Sequence, residues 1–133
     1  MSDTQHLARG STSSAISNGA VRLFHEYTGR GPTKARTTIT DDNIVIVFGD
    51  VLTKGEKMLA ENGDAEVVLQ MRHRFQNAMR EDLIGLVEEH AGRKVVAFMS
   101  ANHISPDMAA EVFVLEPLSD NEQPATPSDE ADA

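Results

Sequence analysis

The segment Ile44-Val45-Ile46-Val47-Phe48 is apolar at every position and only five residues long. A buried helix is normally twice that length, whereas a short continuous apolar run is what a strand in the middle of a sheet looks like. A central β-strand is therefore expected here, and it needs hydrogen-bonding partners. The first precedes it directly. Lys34 to Thr40 alternates small or apolar residues (Ala35, Ile39) with polar ones (Arg36, Thr38, Thr40) and is rich in β-branched side chains, the pattern of a half-exposed strand. Asp41-Asp42-Asn43 supplies the turn, so the two strands form a hairpin.

Downstream, Thr53-Lys54-Gly55-Glu56 has the spacing of a capping box, in which the threonine oxygen takes an amide proton and the glutamate reaches back to the cap amide. A short helix is expected from there to about Glu61, broken by Asn62-Gly63-Asp64. A long helix follows, with Val68, Met71, Phe75, Met79, Leu83, Leu86 and Val87 as its apolar stripe and Ala91-Gly92 as its end. Arg93 to Ala101 and Met108 to Leu115 read as two further strands, joined by a loop containing His103 and Ser105-Pro106.

Upstream, residues 1–14 are polar and small and are expected to form a flexible lead-in to a helix cap near Ser14. Ile16, Ala20, Leu23 and Tyr27 then recur at helical spacing, with Phe24 widening the face, until Gly29-Arg30-Gly31-Pro32 stops the helix. The predicted fold class is α+β in two layers, of order α-β-β-α-α-β-β, with a four-stranded, largely antiparallel sheet and helices on one face. It occupies residues 15–117 as one domain. Residues 118–133 are acidic and proline-containing and read as a disordered tail.

Charge narrows the functions. The chain carries a net −9 over 133 residues, and six of its 21 acids lie in the last eighteen residues without a single base. The remainder, 15 acids against 12 bases, carries no broad basic footprint, so nucleic acid is not an expected partner. The longest apolar runs are five residues, against roughly 20 needed to cross a bilayer, so no direct membrane span is expected. The polar N-terminus, without a secretory pattern, and the absence of cysteine point to the cytoplasm.

The stretch from Phe24 to Leu115 resembles the MpsC-like family, named after a sodium-translocating, membrane-potential-generating system. The matching features are Gly29-Arg30-Gly31-Pro32 after the first helix, then the apolar strand leading to Gly49-Asp50-Val51-Leu52-Thr53. Glu56-Lys57 and Leu59, the long charged helix, Val95-Val96 and Glu111-Val112-Phe113 follow in the same order. The resemblance implies a soluble accessory of membrane ion (sodium) or bicarbonate transport, acting through a protein partner that places it at the periphery of the membrane. It supplies no catalytic residues.

Among the residues themselves, Gly29, Arg30, Gly31, Lys34 and Arg36 form the best candidate ligand-binding loop. The glycines permit close approach of backbone, and two or three cations would meet an anion or acidic peptide. The loop runs from helix into strand and lacks the Gly-Lys-Ser/Thr ending, so it is not a Walker motif. His6, His25, His73, His90 and His103 are scattered without metal-ligand spacing, and neither a metal nor a cofactor is expected. His103, Ser105 and Asp107 crowd within one turn, which does not supply the oriented contacts of nucleophilic catalysis. Arg72, Arg74 and Arg80 followed by Glu81, Asp82, Glu88 and Glu89 give the long helix a basic first half and an acidic second half. Such a pattern is ordinarily a solvated face; alternatively it lets two copies pair antiparallel through it as a homodimer. The methionines read as core filling. Three functions follow in order: a non-enzymatic interaction module, a small-anion or nucleotide sensor using the glycine loop, and an uncharacterised enzyme using His103.

Overall fold

A computed structural model describes residues 2–118 of the chain. The acidic tail expected from residue 118 onward lies, apart from Leu118, outside the described residues. The elements are α1 (Ser2–Thr28), β1 (Lys34–Thr40), β2 (Asn43–Gly49), α2 (Lys54–Glu61), α3 (Ala65–Ala91), β3 (Val95–His103) and β4 (Met108–Leu115). The order is the predicted α-β-β-α-α-β-β. All neighbours in the sheet pair antiparallel, in the order β1-β2-β4-β3.

The apolar run is an inner strand, as expected. β2 lies between β1 and β4, and its burial alternates, with Ile44, Ile46 and Phe48 at 0% exposure and Val47 at 38%. Both faces of β2 are apolar, but only one is covered. The three helices lie over the face that carries Ile44, Ile46 and Phe48, with α1 against β1 and α3 against β3.

Two elements depart from the sequence reading. The first is α1, which begins at Ser2 rather than near Ser14. No proline interrupts the first fourteen residues, and once a helix is nucleated each further turn costs little. Its buried line is Ile16, Ala20 and Phe24, while Tyr27 is 39% exposed and gives its hydroxyl to Asp82. The second is β3, which starts two residues late. Arg93 instead ties the sheet end together, donating to Asp41 O, Asp42 Oδ1 and Glu116 O.

The capping box is formed as its spacing predicts: Thr53 Oγ1 accepts from Glu56 N at 3.2 Å, and Glu56 Oε1 accepts from Thr53 N at 2.8 Å. α3 ends on Gly92 in the left-handed region at φ +67°, where a side chain would be strained. A ring contact fastens the layers, Phe24 of α1 meeting Phe48 of β2 at 4.7 Å between centroids, and within the sheet Phe98 of β3 meets Phe113 of β4 at 5.2 Å.

Candidate interaction surface

The glycine loop is built around Asp50. Gly29 closes α1 at φ +80°, its N–H bonding His25 O, and the chain then turns so that Arg30 meets Asp50. Arg30 Nη2 lies 2.5 Å from Asp50 Oδ2, and Arg30 Nε donates to Asp50 O at 3.3 Å. Thr33 Oγ1 and Lys57 Nζ bind the same carboxylate. Hydrogen bonds from Thr33 and Arg30 hold the Asp50 carboxyl below the usual carboxylate range. Asp50 itself takes the left-handed conformation at φ +62°. Lys34 and Arg36 lie two residues apart on β1 and face the uncovered side of the sheet, the Lys34 stem lying beside Gly49. The structure therefore brings Lys34 and Arg36 to one face and commits Arg30 to a carboxylate of its own chain.

The His103 turn is likewise committed. His103 Nδ1 bonds Pro106 O at 2.8 Å, and Asp107 accepts the N–H groups of Val51 and Leu52 at 3.0 and 3.1 Å. Asp107 thus fixes the entry to α2 rather than orienting His103. Among the described residues, no group of three or more histidines and carboxylates is placed to hold a metal ion.

Sequence reasoning missed a polar chain between α3 and the sheet. Arg72, assigned above to a solvated basic face, is 0% exposed, because Val68, Arg72, Gln76, Met79, Leu83 and Val87 form the buried stripe of α3. Met71 and Phe75, taken as part of that stripe, are half-buried beside it. The guanidinium lies 5.7 Å from the Phe24 ring and 5.9 Å from the Phe75 ring, and Arg72 Nη1 donates to Glu56 Oε1 at 3.4 Å. One turn further on, Gln76 Nε2 donates to Glu111 Oε2 at 2.8 Å and Gln76 Oε1 accepts from Asn102 at 2.7 Å. Ser100 Oγ donates to the other oxygen of Glu111. Burial pushes the Glu111 carboxyl up to about 7, against the hydrogen bonds from Ser100 and Gln76 and the charge of Arg72.

These commitments also alter the α3 pairing surface. Arg72 is inside, Asp82 accepts from Tyr27, and Glu88 accepts from Val95 N at 2.9 Å. Three of the seven charges invoked for antiparallel pairing are occupied within the chain, so that helix face is a poor basis for a dimer.

The other side of the sheet has no such occupation. Its rows run straight across the four strands: Arg36-Val47-Ala110-Ala101 and Thr38-Val45-Val112-Met99. The centre, Val45, Val47, Ala110 and Val112, is apolar, and Met99 on the outer strand β3 and Met108 at the start of β4 are 52% and 38% exposed. No acid stands on this face of any strand, and its fixed charges are Lys34 and Arg36 on the outer strand β1.

Residues 8–117 match the model of the family described as Na+-translocating membrane potential-generating system (MpsC). The chain belongs to the MpsC family. No curated protein and no solved structure gives a match. The family assignment covers α3, all four strands and the buried chain from Glu56 to Glu111, so the uncovered sheet face is part of the MpsC domain itself. Among the described residues, no helix is long and apolar enough to cross a membrane.

Proposed function

We propose that this MpsC-family chain is a non-enzymatic accessory module of a membrane sodium-translocating system, working through a protein contact on the uncovered face of its sheet. The observation that carries the reading is that face: a continuous field of valine, alanine and methionine on β2, β4 and β3, bordered by Lys34, Arg36 and Thr38 of β1. A soluble domain rarely leaves a broad apolar patch exposed unless something binds there. In this reading the chain acts from the cytoplasm and reaches the membrane system through protein contacts. The polar groups that could do chemistry support the same view, since Arg30, Asp107 and Glu111 are bonded to other groups of the chain and Arg72 is enclosed beside Glu56.

The test is complementation. In cells lacking the chain, wild-type protein should restore membrane potential and growth in sodium, whereas Met99→Asp and Val47→Asp, verified as folded by circular dichroism, should not. Full restoration by both folded variants would remove the face from the function.

A further inference from the structure

Arg72 is buried with most of its hydrogen-bonding capacity unused. Only Nη1 has a hydrogen-bond partner, Glu56 Oε1 at 3.4 Å, while Nε and Nη2 are buried without one among the described residues. Glu56 Oε2 is buried and unpartnered in the same way. The Phe24 and Phe75 rings attract the charge without fixing any one N–H. An Nε–Nη2 edge is the fork that takes a carboxylate through two parallel bonds. Among the described residues the buried carboxylates are Glu56 and Glu111. Gln76, one turn beyond Arg72 on the same buried stripe, holds Glu111, and helix side chains lean back toward the preceding turn.

We infer that Arg72 is shared between these two carboxylates and works as a proton-controlled latch on α2. With Glu111 protonated, the guanidinium stays on Glu56 and α2 is docked. When Glu111 loses its proton, the guanidinium turns its free edge to that carboxylate, and α2 loosens.

The surroundings of each carboxylate decide which one keeps the cation. Glu111 projects from the inner strand β4 and is 0% exposed, its oxygens taken by Ser100 and Gln76. Its row across the sheet is Thr37-Ile46-Glu111-Ser100, and α1 reaches that row through Ser17 on Thr37. None of these groups is charged. From α3 the charge of Arg72 acts on Glu111, whereas Arg80 lies over the Phe98 ring at 5.4 Å. From α2 comes Glu56, behind Arg72. An ionised Glu111 thus has Arg72 to turn to and no route to water. Glu56 is the one buried residue of α2, a helix otherwise open to solvent, so a small outward movement hydrates it. An enclosed charge without a partner costs far more than one that reaches water, and the guanidinium follows Glu111. Burial sets the Glu111 carboxyl at about 7, which places the change near neutral pH.

The test follows full-length wild type and Glu56→Gln, with isotope-labelled glutamate and arginine, by NMR from about pH 5 to about pH 8.5. In wild type the Arg72 Nε resonance should move with the midpoint of the Glu111 carboxyl. Across that midpoint, hydrogen exchange in α2, corrected for its intrinsic rate, should accelerate about tenfold more than at Met79 and Leu83 of α3. In Glu56→Gln the guanidinium has Glu111 alone, so the Glu111 midpoint should fall by about one pH unit, tenfold in proton affinity. An Arg72 Nε that stays fixed while Glu111 titrates overturns the inference. So does α2 protection that follows α3 throughout, or a Glu111 midpoint unchanged in folded Glu56→Gln. The first two are read in wild type and decide the matter even where the variant fails to fold.

Discussion

Arg72 Nη1 and Glu56 Oε1 meet 3.4 Å apart inside the protein, with the two side chains 0% and 4% exposed. The pair joins α2 to α3. Glu56 also caps its own helix, so its carboxylate is held by the Thr53 N–H as well. Removing one member of a buried pair strands the other charge, at a cost of about 3–5 kcal/mol. Arg72→Ala is therefore expected to lower the unfolding free energy by about that amount in urea titration. Arg72→Met combined with Glu56→Gln should recover most of the loss, because neither position then holds an uncompensated charge. A loss below about 1 kcal/mol in Arg72→Ala would show that Glu56 is satisfied without the guanidinium.

Glu111 gives the protein a pH dependence of known sign. Its carboxyl rises from 4.5 to about 7 in the folded state, so between those values the folded chain holds a proton that the unfolded chain has released. Its stabilising contribution is complete below about pH 4.5 and is lost as the pH rises through about 7. Asp50, with its lowered carboxyl, acts in the opposite direction and at lower pH. In wild type, stability should fall by a few kcal/mol from pH 5 to pH 8, at about 1.4 kcal/mol per unit of displacement. Glu111→Gln should flatten that slope, and at pH 8 it should be at least as stable as wild type. An identical slope in the two proteins would assign the dependence to another group.

Asp107 should matter through the backbone it holds. Its carboxylate takes the amides of Val51 and Leu52, two core residues at 1% and 3% exposure that lead into α2. Asp107→Ala leaves two donors without a partner, at about 1–3 kcal/mol each when buried. Asp107→Asn keeps an acceptor and should lie between. Hydrogen exchange at Val51 and Leu52 should accelerate in Asp107→Ala by more than the loss of global stability explains. Protection equal to wild type would mean that the turn is held by its other bonds, among them Asp50 N to Asp107 O.

The fold was largely legible because its signals are local. The run Ile44–Phe48 could only be an inner strand, Thr53 and Glu56 carried their cap in their spacing, and Gly92 marked the end of α3. What was not legible depends on helix phase and on strand order. Arg72 looks like its neighbours Arg74 and Arg80 until the helix is rotated by about 100°, the angle of one residue. Val68 to Met79 then lie in line with it. Ser100, Glu111 and Gln76 are far apart in sequence and meet only because β4 lies beside β3 under α3. The same strand order aligns Val45, Val112 and Met99 on the uncovered face. A hairpin reading of β1 and β2 could not reveal that row, since β4 arrives from sixty residues away.

The glycine loop yields the last prediction. Arg30 and Asp50 are each 34% exposed, and pairs at such positions contribute about 0–1 kcal/mol, so Arg30→Ala should cost less than about 1 kcal/mol. An anion drawn to Arg30 would have to displace Asp50, whose carboxylate is also bound by Thr33 and Lys57 and would repel the newcomer. Millimolar phosphate should therefore raise the melting temperature of wild type no more than that of Arg30→Ala. Asp50→Asn releases the guanidinium and removes the competing charge, so phosphate-dependent stabilisation is expected in that variant. Stabilisation of wild type that disappears in Arg30→Ala would instead establish the loop as an anion site in the native chain, with Lys34 and Arg36 the next residues to replace.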